Sequence, residues 1–330
     1  MTAAPAVAVA RESAIVTTLR RNTWLVGLLG LLAALLVFTK LINPGYDLTG
    51  VQNLGISILP LALATVAQAI VVISGGIDLS LGSIMALTSV VAAAQMKGQS
   101  EEFAIVVVLG VMLLGIVIGA VNGGLAVFTR VPDIVVTLAM SFVWAGFALL
   151  VLQRPGGASA QWLKDLLSGS LFSDWIPRAA VVLIVVVAVV WIPVSRSRLG
   201  LSIYAIGSNR LAAFRSGVAV GRTRISAYIL AGLFAALGGI SLTATTGIGT
   251  PVPGPYTLNS VAAVVLGGVS LAGGRGGIFG PLVAVIILQL IRTDMTFMNM
   301  NTNLATVVQG VILIGVVMIG SVLEIRRTRP

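Results

Sequence analysis

Histidine and cysteine are both absent from the 330 residues. That removes imidazole and thiolate metal sites, cysteine nucleophiles and every histidine-dependent triad. Lysine occurs only as Lys40, Lys97 and Lys164, and none lies in a G-x-x-x-x-G-K-[ST] phosphate loop. No metal, cofactor or ATP hydrolysis by this chain is expected. What is left is carboxylate and hydrogen-bonding chemistry. Of the 10 acids only Asp78 falls inside an apolar block, with Asp133 and Asp294 near helix ends. A proton- or sodium-coupled carrier buries several ionisable groups, so one candidate is thin support for ion coupling.

Asp78 sits in Ser74-Gly75-Gly76-Ile77-Asp78-Leu79-Ser80-Leu81-Gly82-Ser83, between the apolar runs Ile56–Ile73 and Leu81–Met96. Paired glycines oppose a continuous helix by about 1 kcal/mol each. Asp78 and Ser80 are residue types that cap a new helix by accepting from its free N–H groups. The stretch predicts a break between membrane helices, with polar backbone that survives at membrane depth only under protein or beside a water-filled cavity. It is either a packed corner or part of a transport route, and Asp78 is either a cap or a solute contact. Asn122, Gln68, Thr88, Ser89, Thr137, Ser141, Thr243, Thr245, Gln289 and Gln309 add neutral polar groups within the spans. They suit reversible hydrogen bonds to a polyhydroxylated solute, and equally bonds between helices.

The elements that must position these groups follow from composition. Hydrophobic residues make up 58% of the chain and charged residues 9%, with a mean hydropathy of +1.09. A soluble domain carries about a quarter charged residues. At about 20 residues per spanning helix, the runs predict an all-α polytopic membrane protein of about ten transmembrane helices. The predicted order is a flexible tail over 1–23, a transmembrane domain over 24–323 and a basic tail over 324–330. The eighth run, Asn259–Leu271, is short enough to be either a crossing or a re-entrant dip.

With both termini inside, 14 of the 20 Lys and Arg fall in inner segments: the two tails, Arg130, the loop Ser195–Arg224 and Arg275. Lys40, Lys97, Arg154, Lys164, Arg178 and Arg292 fall outside, the bias that the positive-inside rule requires. The arginines are scattered between apolar runs, so the formal charge of +10 orients helices and no nucleic-acid partner is expected. Gly115, Gly119 and Gly123 recur at four-residue spacing and predict a face for close helix packing. The loop Gln153–Arg178, with Trp162, Leu163, Leu166 and Leu167, reads as an amphipathic segment on the membrane face.

An internal echo links Val72–Ser80 with Val264–Ala272, each a Gly-Gly pair after an apolar run. Paired interrupted segments point to binding or gating sites in transporters. The translocation or gating candidates are therefore Gly75, Gly76, Asp78, Ser80, Asn122, Gly267, Gly268 and Ser270. The basic loop 195–224 is either a solvated loop or a surface on which a motor subunit pushes.

Taken in order, Gly75–Ser83, Tyr204–Asn209, Ser216–Val218 and Val265–Gly276 resemble the membrane-spanning permease subunit of bacterial ABC sugar importers, the ribose/xylose/autoinducer-2 group. The similarity runs from about Trp24 to the C-terminus. It implies a multi-pass permease of the bacterial inner membrane that forms the path for a monosaccharide-like solute. The implied partners are a second permease subunit, a cytoplasmic ATP-binding subunit and a periplasmic solute-binding protein. It also implies an ATPase-docking helix within Leu199–Val218, with Gly200, Tyr204, Gly207, Asn209, Ala212, Ala213, Ser216 and Gly217 as its candidates. Arg210 stands where family members often carry an acidic residue, which puts charge pairing with the ATPase in doubt. The competing readings are an ion-coupled carrier, a membrane scaffold and a branched-chain amino-acid permease.

Overall fold

The structure is a computed structural model that describes residues 23–171, 173–252 and 254–300, and scattered positions between 304 and 318. The expected tails over 1–23 and 324–330 lie outside the described residues except for Thr23, which begins the first helix, and most of the expected last span over 304–323 lies outside them too. Apart from one short hairpin, the described chain is helical. Seven of its helices are long and apolar enough to cross a membrane, and two shorter apolar helices join them.

Helix α1 (Thr23–Ile42) ends where the Lys40 ammonium donates to the carbonyls of Pro44 and Tyr46. Helix α2 (Leu48–Ile73) begins two residues earlier than the apolar pattern indicates, because Asp47 Oδ1 accepts from the N–H groups of Thr49 and Gly50 at 3.0 and 3.2 Å. It is the central post of the bundle, buried without interruption from Ile58 to Ile73. An all-round buried helix must be apolar all round, and the run from Leu59 to Ile73 breaks that rule only at Thr65 and Gln68.

Helix α3 (Leu81–Met96) returns from the break, followed by α4 (Phe103–Phe128) and α5 (Asp133–Val151). The expected glycine face of α4 packs on α11 (Val220–Thr246). A Cβ at Gly119 would strike the Tyr228 carbonyl, and one at Gly115 would lie 2.5 Å from that of Gly232. Only glycine lets two helix backbones approach so closely. Ser89 and Thr243 hydrogen-bond across α3 and α11 at 2.9 Å, so these two span hydroxyls hold helices together.

The loop after α5 carries α6 (Gln161–Leu167) and the antiparallel strands β1 (Ser170–Leu171) and β2 (Ser173–Pro177). The expected amphipathic segment packs one face on the chain and leaves Leu166 exposed. Leu163 and Leu167 are buried, and the N–H of Gln161 donates to the Glu101 carboxylate at 2.9 Å. Helix α7 (Arg178–Val186) passes through a π-helical turn, Val187–Trp191, into α8 (Ile192–Arg196). Two short helices follow, α9 (Arg198–Ser208) and α10 (Arg210–Arg215). Helix α11 starts at Val220, so Arg222 and Arg224 belong to its first turns and not to the loop.

The chain then descends in two pieces. A bent segment lies beside α3: the Thr250 N–H faces Ser89 Oγ, and the Thr257 hydroxyl accepts from the Gly82 N–H at 2.9 Å. Helix α12 (Tyr256–Leu266) continues to the end of the bundle that holds Trp24, whose indole donates to the Leu266 carbonyl at 2.8 Å. We call that end lower. Helix α13 (Phe279–Phe297) rises to the upper end, where the Phe297 ring meets Tyr46 edge-on.

Candidate functional site: a braced break, a glycine junction and a polar cavity

The break between α2 and α3 is held by a chain of buried hydrogen bonds. Asp78 Oδ1 accepts from the N–H and the hydroxyl of Ser80 at 2.8 and 2.6 Å. Ser80 Oγ accepts from Asn122 Nδ2 at 2.8 Å, and Asn122 Oδ1 accepts from the Trp144 indole at 3.1 Å. Asp78, Ser80 and Asn122 are all at most 1% exposed. The Thr137 hydroxyl donates to the Asp133 carbonyl at 2.9 Å and accepts from the Leu79 N–H at 3.0 Å, so α5 also grips the turn. A buried polar network pays off only when its members are satisfied, and this one is. Beneath it, Arg224 of α11 pairs with Asp133 of α5. A Cβ on Gly76 would come within 2.5 Å of Asp133 Oδ2 and 3.2 Å of the Tyr228 hydroxyl.

Three glycine segments converge at the lower end. The Gly274 N–H donates to the Ile73 carbonyl at 2.9 Å. A Cβ on Gly207, near the end of α9, would strike that same carbonyl and lie 2.5 Å from the Gly274 nitrogen. A Cβ on Gly273 would lie 2.8 Å from the Gly75 α-carbon. Gly75, Gly273 and Gly274 have φ of 82°, 87° and 69°, a region open to glycine and strained for other residues. Arg210 Nη2 donates to the Gly75 carbonyl at 2.9 Å, and the Tyr204 hydroxyl donates to the Gly276 carbonyl at 3.0 Å. Burial raises the Tyr204 phenol above its ordinary value, which keeps it a neutral donor.

The upper half of the bundle holds a cavity of about 360 Å³, within the range of small-molecule sites. Helix α2 supplies Asn53, Ile56, Ser57, Pro60 and Leu61 to its wall, and α11 supplies Leu242, Thr245 and Thr246. Tyr256 and Asn259 come from α12, and Leu288, Gln289 and Arg292 from α13. Among the described residues, no hydrogen bond occupies the side chains of Asn53, Asn259, Gln289 or Arg292. Pro60 has no N–H, so the Ile56 carbonyl one turn above it is released from the helix ladder at the cavity wall. Among the described residues, the wall is therefore a set of neutral donors and acceptors with one guanidinium and no carboxylate.

Residues 50–317 match the family described as the permease component of a branched-chain amino acid transport system. The chain belongs to that family. It is 33% identical to the ribose import permease of Escherichia coli K12 over 78% of this chain and 81% of the relative. It is 32% identical to a probable ABC transporter permease of the same organism over 92% and 91%. A galactose/methyl galactoside import permease of Haemophilus influenzae is 31% identical over 76% and 79%. No solved structure matches the chain at a significant level. With its long apolar helices, this permease is a multi-pass protein of the inner membrane.

The sequence candidates fall in two places. Gly75, Gly76, Asp78, Ser80 and Asn122 form the braced break, with Gly75 and Gly76 at its lower edge. Gly267, Gly268 and Ser270 lie across the lower end: a Cβ on Gly267 would collide with Pro281, and one on Gly268 would lie 2.7 Å from the Trp24 ring. The Ser270 backbone N–H donates to the Arg275 carbonyl at 3.2 Å and closes its loop. None of these lines the cavity.

Of the docking candidates, Gly207 sits in the glycine junction and Tyr204 beside it. Gly200 abuts Ser195, where a Cβ would lie 2.6 Å from the Ser195 α-carbon. Asn209 caps α10 by accepting from the Ala212 N–H at 2.9 Å. Ala213 is buried, while Ala212, Ser216 and Gly217 close the short helix through its last backbone bonds. Sequence reasoning named Thr245 and Gln289 as polar span residues but not Asn53, Ser57, Tyr256 or Asn259, and it took Arg292 only as an outer charge. The available signal was the i, i+4 recurrence of polar groups at Asn53 and Ser57.

Proposed function

We propose that this permease forms the solute path of an ATP-driven sugar importer. The observation that carries the reading is the cavity wall, which among the described residues has seven neutral hydrogen-bonding side chains, one arginine and no acid. A monosaccharide presents hydroxyls that such a wall can match. A branched-chain amino acid would bring an ammonium group that finds no carboxylate there, and a desolvated unpaired charge costs several kcal/mol. The named sugar permeases among the relatives point the same way, although the family description names branched-chain amino acids.

The lower end is the cytoplasmic one in this reading, because Arg130, Arg196, Arg198, Arg210, Arg215, Arg222, Arg224 and Arg275 gather near it. The bent segment with α12 then counts as a crossing, and with the run over 304–323 the total is ten, N-in and C-in. ATP is hydrolysed in a separate subunit that docks on α9 and α10, over residues 195–224. Its movement reaches the α2–α3 break through the glycine junction and shifts the bundle between inward- and outward-open states. A second permease copy and a periplasmic solute-binding protein complete the importer.

The test is uptake into proteoliposomes holding the permease with its cognate ATP-binding and solute-binding subunits. ATP-dependent entry of D-ribose or D-galactose, unaffected by proton or sodium gradients, is expected. Entry of leucine, isoleucine or valine in preference to both sugars would overturn the sugar reading, and gradient-driven entry without ATP would favour the ion-coupled carrier.

A further inference from the structure

Two side chains beneath the cavity stand out on energetic grounds. Thr65 and Gln68 of α2 are 0% exposed. The Thr65 hydroxyl oxygen and both amide atoms of Gln68 have no hydrogen-bond partner among the described residues. Unpaired buried polar groups are rare in native structures, and in a membrane interior each is costly. They are the only polar side chains on the buried stretch of α2; the other unpaired buried atoms among the described residues belong to Asp133, Tyr228 and Asp294, which lie on other helices.

The position of Thr65 and Gln68 supplies a cause. At 100° per residue, Ser57, Leu61 and Gln68 fall on one stripe of α2, with Thr65 on its flank. Ser57 and Leu61 line the cavity. Gln68 lies about 10 Å further along the helix than Leu61, at 1.5 Å per residue. On each of the three helices that complete the cavity, one small residue lies a turn inward of a wall residue: Gly238 below Leu242, Ala263 below Asn259 and Ala284 below Leu288. All three are buried. A polar stripe thus descends from an open cavity into a closed, small-residue seam at the middle of the bundle.

We propose that Thr65 and Gln68 form a second, occluded subsite for a polyhydroxylated solute, below the open cavity on the same face of α2. In the resting state the seam is shut and their polar atoms are left unpaired. When the bundle opens, solute hydroxyls or accompanying water take those hydrogen bonds, so the subsite favours the open, loaded state over the closed, empty one. The energetic penalty of the resting state becomes part of the differential affinity that drives the transition. This inference rests on the sugar-importer reading for its ligand class, and on burial and geometry alone for its place.

The chain has no cysteine, so a single Gln68→Cys substitution can be labelled selectively by a small membrane-impermeant thiol reagent. In the assembled importer it should be unreactive at rest and react at least about tenfold faster during ATP turnover with D-ribose or D-galactose. In parallel, Thr65→Val and Gln68→Met remove the unpaired groups at nearly constant volume. Each should raise the thermal stability of the resting permease while lowering sugar transport kcat/KM by about fivefold to tenfold, the weight of a neutral hydrogen bond. Thr65→Ser, which keeps the hydroxyl, should retain more transport than Thr65→Val. Equal labelling in both states, or transport at parental kcat/KM in both apolar variants, would overturn the subsite. A parent complex that moves neither sugar, yet opens Gln68→Cys to reagent on ATP hydrolysis, would leave the subsite standing and overturn the sugar reading.

Discussion

The carbonyl of Ile73, the last residue of the central helix α2, accepts a hydrogen bond from the N–H of Gly274 at 2.9 Å. That single bond joins the end of the bundle's post to a loop from the other half of the chain, and Gly207 of α9 is wedged against both partners. There is no space for a methyl group in this wedge. Gly207→Ala should therefore force the helices apart and cost about 1–3 kcal/mol of stability. A lowered Tm of the purified permease checks the packing. Loss of sugar-stimulated ATPase activity in the assembled importer, beyond what the stability loss explains, checks that α9 transmits movement through this contact.

Arg210 makes the neighbouring link, from the start of α10 to the Gly75 carbonyl. A charge-assisted hydrogen bond of this kind contributes about 1.5–3 kcal/mol when buried and less when exposed, and Arg210 is exposed. Arg210→Ala should thus leave membrane insertion and Tm nearly unchanged, with Tm as the check. If the guanidinium is committed to the chain's own backbone, Arg210→Glu should reduce transport no more than Arg210→Ala does. A much larger loss in the glutamate variant would mean that the charge faces a partner.

How much of this was readable in advance depends on whether the signal is local. The glycines of α4 announce their face because the spacing lies within one helix, and Gly119 does meet the Tyr228 backbone. Asp78 and Ser80 are two residues apart, so their mutual bond is local chemistry. The cavity is different: Asn53, Thr245, Asn259 and Gln289 come from four helices, and no one-dimensional pattern sets the register between them. Arg224 misled for the opposite reason. Its charge marks a loop by composition, yet it sits in the first turns of α11 because Asp133 on α5 neutralises it. The segment before the eighth run likewise lacks a hydrophobic signature, since it is held beside α3 by hydrogen bonds to Ser89 and Gly82.

The Arg224–Asp133 pair is only 12% and 11% exposed, so removing one partner strands the other. Asp133→Asn or Arg224→Gln alone should destabilise the permease by about 3–5 kcal/mol. The double variant should lose clearly less than the sum, because no uncompensated charge remains. Thermal unfolding of the four proteins in one detergent measures the coupling. Additive losses would show that the two groups act separately.

Among the described residues, Arg292 is the one charged side chain on the cavity wall, and its field bears on selectivity. A protonated amine about 8 Å from the guanidinium is repelled by about 2 kcal/mol at an effective dielectric constant of 20. The parent importer should therefore carry D-galactosamine far less well than D-galactose. Arg292→Gln removes the field while leaving a hydrogen-bonding amide, so the ratio of the two transport rates should move towards unity by roughly tenfold or more. Because the same solute-binding subunit serves both permeases, its own selectivity cancels from the comparison. An unchanged ratio would place the discriminating step outside the cavity.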